Sequence, residues 1–175
     1  DPLMIFGDRH MKVLVAYESK HGSTRAIAER IAKTLSTHDL TATARPIDEV
    51  VDPGEYDAYV IGSAVYYGGW MREAVAFVRD HEFWLVDKPV WLFSSGPIGT
   101  SRPADPRDMA MLRQTSKPRD HHVFYGALDR DELSIGERLV VGALKAPDGD
   151  FRDWSEIERW AEGIAEALCK APVTA

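Results

Sequence analysis

Met11-Lys-Val-Leu-Val-Ala-Tyr-Glu-Ser-Lys-His-Gly-Ser-Thr24 runs straight into Arg25-Ala-Ile-Ala-Glu-Arg30, and this stretch decides the fold. Val13, Leu14, Val15 and Ala16 are contiguous and apolar, with no polar alternation, as a strand covered on both faces requires. The polar run Ser19, Lys20, His21, Gly22, Ser23, Thr24 then separates that strand from a helical pattern. Strand, tight polar loop and helix start in succession make an anion site. The first-turn N–H groups have no intrahelical acceptor, and the helix dipole favours negative charge there. Gly22 lets the backbone turn closely around the anion, while Ser19, Ser23 and Thr24 add hydroxyl donors. The expected occupant is a phosphate; the plainer alternative is a βα turn with a hydroxyl cap. Neither Gly-x-x-x-x-Gly-Lys-Ser/Thr nor Gly-x-Gly-x-x-Gly is present, so the phosphate does not belong to a Walker-type nucleotide or to a dinucleotide held by that fingerprint.

Outward from this stretch, strands and helices alternate. Ile27, Ile31 and Leu35 with Ala28 and Ala32 form one helical face over about 24–37. Leu40–Arg45 alternates as a second strand, and Asp48–Val51 reads as a helical turn before the Asp52-Pro53-Gly54 breaker. Tyr56–Ser63 is a third strand, leading into the loop Ala64, Val65, Tyr66, Tyr67, Gly68, Gly69, Trp70. A helix follows on Met71, Ala74, Val75 and Val78. Pro89–Ser94 is a fourth strand, leading into Ser95, Gly96, Pro97, Ile98 and Gly99. A long loop with a short helix near 106–114 precedes a fifth strand, His122–Leu128. Asp131–Leu144 reads as helical, with Ser134 and Glu137 spaced as a capping box. The last helix starts near Asp153, with Glu156 three residues on. Five buried strands alternating with helices imply an α/β doubly wound parallel sheet, order 2-1-3-4-5, in one domain over 11–175. Residues 1–10 show no periodicity and read as a cloning remnant before Met11. In that strand order the ligand crevice lies at the C-terminal ends of strands one and three, where loops 18–24, 64–70 and 94–100 gather.

Composition narrows the chemistry. The 175 residues carry 21 basic and 28 acidic side chains, net −7, which argues against a nucleic-acid partner. No apolar run approaches the roughly 20 residues of a membrane span, so a cytoplasmic protein is expected. A peripheral contact with the inner membrane face and a homodimer both stay open. Cys169 is the single cysteine, which leaves no disulfide framework, CxxC pair or Cys-ligated iron–sulfur cluster within one chain. Electrons moved by such a chain need an organic cofactor. His121 and His122 have no Cys or carboxylate partners at ligand spacing, so no metal site is expected.

These residues resemble the flavodoxin-like FMN proteins, a family whose phosphate loop usually reads Ser/Thr-x-Thr-Gly-x-Thr. Ser19, Gly22 and Thr24 match, while His21 replaces the middle hydroxyl and Lys20 adds a cation. The departures are similar to the branch of menaquinone-dependent protoporphyrinogen dehydrogenases. So are Tyr67-Gly68-Gly69-Trp70, Gly126-Ala127-Leu128, the stretch 131–145 and Asp153-Trp154. The resemblance, over about 11–169, implies a flavodoxin-like fold, FMN as cofactor, and a quinone or another small redox substrate as partner. On this reading Tyr66, Tyr67 and Trp70 bracket the flavin ring by stacking. Gly68 and Gly69 present a carbonyl or N–H to its N5 edge. Ser94, Ser95, Gly96 and Gly99 offer backbone donors to its pyrimidine edge. No catalytic residue is assigned.

Three functions compete: an FMN enzyme passing electrons from a reduced, protoporphyrinogen-like substrate to a quinone, a small electron carrier serving protein redox partners, and an FMN-free binding module. A receiver-type module needs an acidic pair after strand one and an Asp ending strand three, where this chain has Tyr17-Glu18 and Ser63-Ala64. The long 97–120 loop and the apolar stretch 131–145 favour an enzyme with an elaborated mouth.

Overall fold

The computed structural model describes residues 10–96, 105–128, 149–150 and 152–170. Strand β1 (Met11–Glu18) lies at the centre, with Val13 to Ala16 fully buried. It pairs in parallel with β2 (Leu40–Pro46) on one side and β3 (Ala58–Tyr66) on the other. Parallel pairing continues through β5 (Val90–Ser95) to β6 (Asp120–Phe124). A two-residue strand, β4 (Gly69–Trp70), folds back antiparallel on the end of β3. The sheet order β2-β1-β3-β5-β6 is therefore the expected 2-1-3-4-5 once β4 is set aside.

Alternation along the strands sends side chains into two cores. Val13, Val15, Val60 and Phe93 face α1 (Ser23–Leu35) and the last helix, α5 (Trp154–Lys170), meeting Ile27, Ile31, Ile157 and Ile164. Leu14, Ala16, Ile61 and Leu92 face the other way, onto α2 (Arg72–Asp80), α3 (Glu82–Leu85) and α4 (Met109–Ser116) through Ala74, Phe77, Leu85 and Leu112. The β1–β2 crossover thus covers one face and the β3–β5 crossover the other. The winding direction changes between β1 and β3, which opens a crevice at their C-terminal ends.

Four expectations are corrected. The strands are not all buried on both faces: β2 and β6 are edges, and most of their residues remain partly exposed. The fifth strand starts at Asp120 and stops at Phe124. Arg119 N–H binds the Val90 carbonyl and fixes that earlier register, while Gly96 N–H takes the Phe124 carbonyl and closes the ladder. Ala127–Leu128 (β7) then leaves the sheet to pair antiparallel with Gly149–Asp150 (β8). The third strand runs on to Tyr66 because β4 gives its end a partner. The helical turn expected over 48–51 is two 3₁₀ turns, Ile47–Glu49 and Pro53–Glu55, the second capped by Asp52 Oδ1 accepting from Gly54 N–H at 2.8 Å. Asp153 caps the last helix as expected, its Oδ1 accepting from Glu156 N–H at 3.1 Å. The helix expected over 131–144, Pro97, Gly99 and residues 1–9 lie outside the described residues.

Candidate functional site

The loop after β1 is shaped by its own sequence. Gly22 has φ +83°, a left-handed conformation that glycine adopts without strain, and it is the N-cap of α1. Ser19 Oγ accepts from Gly22 N–H at 3.0 Å, and Ala26 N–H closes the first helical turn on the Gly22 carbonyl at 3.2 Å. No side chain caps the helix. The hydroxyl cap weighed from the sequence is absent, and the first-turn N–H groups point out of the helix end. Thr24 is only 1 % exposed and lines the crevice, yet its hydroxyl has no hydrogen-bond partner among the described residues. Ser23 Oγ accepts from Ala127 N–H at 3.1 Å, tying β7 to the helix start.

A cleft of about 130 Å³ opens above this loop, walled by Ser19, Lys20, His21, Ser23, Thr24, Ala64, Val65, Tyr66, Ser95, Gly96, Gly126 and Ala127. It sits at the change of winding direction. Lys20 Nζ stands 4.4 Å from the centre of the Tyr66 ring, within cation–π range, so the cation and the aromatic wall share one place. Unsatisfied N–H groups, an unpartnered hydroxyl, a lysine and an adjoining aromatic wall suit a ligand with an anionic tail and a flat apolar head.

Residues 66–70 are held differently. Tyr67 has φ +50°, is 65 % exposed and meets Tyr66 edge-on at 5.0 Å; it does not line the cleft. Arg107 Nη1 donates to the Tyr67 carbonyl, and Arg107 N–H donates to the Gly68 carbonyl at 2.9 Å. Of the two glycines expected to face a ring edge, Gly68 thus has its carbonyl engaged. A Cβ on Gly69 would fall 2.6 Å from Asp108 Oδ2 and 2.8 Å from the Arg107 guanidinium, so a larger residue would push the ends of both side chains off this clamp. Trp70 N–H donates to Asp108 Oδ2 at 2.9 Å.

Trp70, expected to stack on the ring, does not line the cleft, and neither does Ser94, expected to offer a backbone donor. Trp70 is packed in the core, and its Nε1–H donates to the fully buried Ser94 Oγ at 2.8 Å. That leaves the Ser94 hydroxyl proton for His121 Nε2, also at 2.8 Å. The His121 side chain is 1 % exposed, and its Nδ1 lies 3.4 Å from Asp105 Oδ1 without hydrogen-bond alignment. Burial holds the imidazole below its ordinary pKa, against the pull of Asp105. The expected donors of Gly96 and Ser95 are also committed: Gly96 N–H to Phe124, and Ser95 within the β3–β5–β6 ladder.

Sequence reasoning missed Gly126 and Ala127 as cleft walls, although the Gly-Ala pair ending a strand region was visible. It also missed Arg107, Asp108 and His121, which act on a loop about 40 residues away and leave no local signal. At the strand end, burial and the nearby Glu73 and Asp48 hold the Glu18 carboxyl above its usual range. Among the described residues no group of His, Cys, Asp and Glu is arranged to hold a metal ion, and no helix is long and apolar enough to cross a membrane.

Comparison with known proteins adds independent findings. Residues 14–155 match the family described as Flavodoxin domain. "Protoporphyrinogen IX dehydrogenase [quinone]" of Escherichia coli (strain K12) is 23% identical over 91% of this chain and 98% of its own. The protein of the same name from Leishmania major is 24% identical over 92% of this chain and 78% of its own. Among solved structures, a flavodoxin from the domain Archaea superposes with a TM-score of 0.64 at 19% identity, covering 91% of this chain and 99% of that one.

Proposed function

This chain belongs to the flavodoxin domain family, and on that premise we propose that it is a quinone-linked dehydrogenase acting on a reduced, protoporphyrinogen-like substrate. Flavodoxin domains bind FMN, and FMN is the cofactor of this oxidoreductase. The cleft fits it. The N–H groups of the first turn of α1, with Ser19 and Thr24, would hold the phosphate, and Lys20 adds a positive charge beside Tyr66. Tyr66, Val65 and Ala64 would wall the ring. Bound there, FMN would supply the redox chemistry that links the reduced substrate to the acceptor. The protein's part is to fix the phosphate, to shield one side of the ring and to keep loop 66–70 in one conformation through Arg107 and Asp108.

The observation that carries the dehydrogenase reading is the extent of likeness: the two quinone-linked relatives align along nearly the whole chain. A second reading, a small electron carrier, is favoured by the fold of the archaeal flavodoxin and by a net charge of −7 suited to a basic partner protein. Steady-state assays of the FMN-loaded protein under anaerobic conditions separate the two. Protoporphyrinogen IX with a menaquinone or ubiquinone analogue should give porphyrin and quinol. No turnover with any quinone, together with rapid electron exchange with a flavodoxin reductase, would establish the carrier instead. The apolar stretch 131–145, read from the sequence as a lip for such a substrate, lies outside the described residues.

A further inference from the structure

We propose that the hollow beside loop 66–70, between α2 and residues 105–108, binds the carboxylates of a large apolar substrate through Arg72, Arg79 and Arg107. This inference rests on the dehydrogenase reading for the identity of the substrate. The hollow measures about 670 Å³ and is lined by Trp70, Arg72, Glu73, Val75, Ala76, Arg79, Arg107 and Asp108, a size suited to a substantial organic molecule.

Three features set it apart. The first is position. Val65 lines the cofactor cleft and is the antiparallel partner of Trp70, which lines the hollow. Cleft and hollow therefore lie on either side of a two-strand ribbon, about 5 Å across between paired backbones. A ligand in the hollow sits next to the cofactor's ring loop and outside its phosphate cradle.

Charge is the second. Three guanidinium groups face two carboxylates, Glu73 and Asp108, leaving one positive charge in a chain of net −7. Asp108 is already committed to Trp70 N–H, and Arg107 keeps guanidinium donors beyond the one given to the Tyr67 carbonyl. Arg72 has no hydrogen-bond or ion-pair partner among the described residues. Arg79 holds only its neighbour Asp80 at 3.4 Å, both well exposed, a pairing that an incoming carboxylate displaces at little cost. The hollow between α1 and α5 is the contrast. It too contains basic residues, but Arg30 there is bonded to Glu158 at 2.6 Å, and Glu162 is a second carboxylate in the lining.

The third feature is shape of contact. Arg72 and Arg79 stand seven residues apart on α2, nearly two helical turns, or about 10 Å along its axis. Val75 and Ala76 lie between them. Two separated cations flanking an apolar stretch match a flat apolar molecule with two carboxylates on flexible arms, since guanidinium groups bind carboxylates in a bidentate fork.

The test uses mesoporphyrin IX, a dicarboxylic porphyrin that is already aromatic, and its dimethyl ester. Each is titrated into FMN-loaded protein and followed by porphyrin fluorescence. The free diacid should bind about tenfold tighter than the diester, with only the diacid weakened by salt. Arg72→Gln/Arg79→Gln should remove that preference while leaving diester binding, FMN content and thermal midpoint unchanged. Equal binding of diacid and diester by the wild type, or an unchanged preference in the double variant, overturns the proposal. Turnover of protoporphyrinogen IX in the same preparation keeps the two claims apart. Turnover without the diacid preference removes this site and leaves the dehydrogenase. Preference without turnover upholds the site and removes the dehydrogenase.

Discussion

The two loops that frame the cleft are built by opposite means. Loop 19–24 is held by contacts three or four residues apart: Ser19 Oγ with Gly22 N–H, and the Gly22 carbonyl with Ala26 N–H. Loop 66–70 is held from far along the chain, by Arg107 and Asp108 about 40 residues away and by the pair Ser94–His121 beneath Trp70. In the first, Gly22 N–H is spent on Ser19, but no side chain caps the first turn of α1, whose N–H groups face the cleft. In the second, the carbonyls of Tyr67 and Gly68 and the N–H of Trp70 are already bonded inside the protein. One loop is shaped by its own sequence, and the other is fastened to the core by distant side chains. Substitutions in the ring loop's supports should therefore cost folding stability, and substitutions in the phosphate loop should cost ligand.

The largest effect is expected from Trp70→Ala. It empties a core position and strands Ser94, so urea unfolding of the apoprotein should show a loss of about 3–5 kcal/mol. A loss below about 1 kcal/mol with a marked change in flavin spectrum would make Trp70 a ligand-stacking residue after all. Asp108→Ala removes the acceptor of Trp70 N–H in a partly buried place and should cost about 1–3 kcal/mol by the same measurement.

His121→Gln probes the same support through pH. Burial lowers the imidazole's folded-state pKa below its unfolded value of about 6.5. The unfolded chain therefore binds a proton that the folded chain refuses. Stability from this group is complete above about pH 6.5 and is lost as pH falls from there toward the lowered value. In chemical denaturation at a series of pH values, the variant should be less stable by about 1 kcal/mol at pH 7 and lose less on acidification than the wild type. An unchanged slope between about pH 6.5 and 5 would mean that His121 is not the titrating group. Ser19→Ala is the smallest: one exposed local hydrogen bond goes, and apoprotein stability should stay within about 0.5 kcal/mol. A loss comparable to that of Asp108→Ala would erase the contrast between the loops.

This difference also explains what could be read in advance. The apolar run Val13–Ala16, the left-handed Gly22 and the helical face of Ile27, Ile31 and Leu35 are short-range facts, and strand order followed from them by the rules of crossover handedness. Asp153 announced itself as a cap by its spacing from Glu156. Trp70 misled because an aromatic residue beside Tyr66 and Tyr67 looks like ring-stacking furniture. Only the antiparallel pairing of β4 on β3 turns its indole inward to Ser94. His121 was read only as a poor metal ligand, because its role depends on β6 pairing with β5 in a register set by Arg119 and Val90. The stop of β6 at Phe124 was hidden for a similar reason, since Gly96 supplies it from another strand's end.

The central claim is the proposal that the N-terminal end of α1 holds the phosphate of FMN, with the Thr24 hydroxyl as a donor. Calorimetric titration of the apoprotein with FMN and with riboflavin, for the wild type and Thr24→Ala, tests it most directly. The wild type should bind FMN far more tightly than riboflavin. Thr24→Ala should lose about 1.5–3 kcal/mol toward FMN and almost nothing toward riboflavin, narrowing the gap. Equal affinity of the wild type for the two ligands, or a gap untouched by the substitution, would contradict the account.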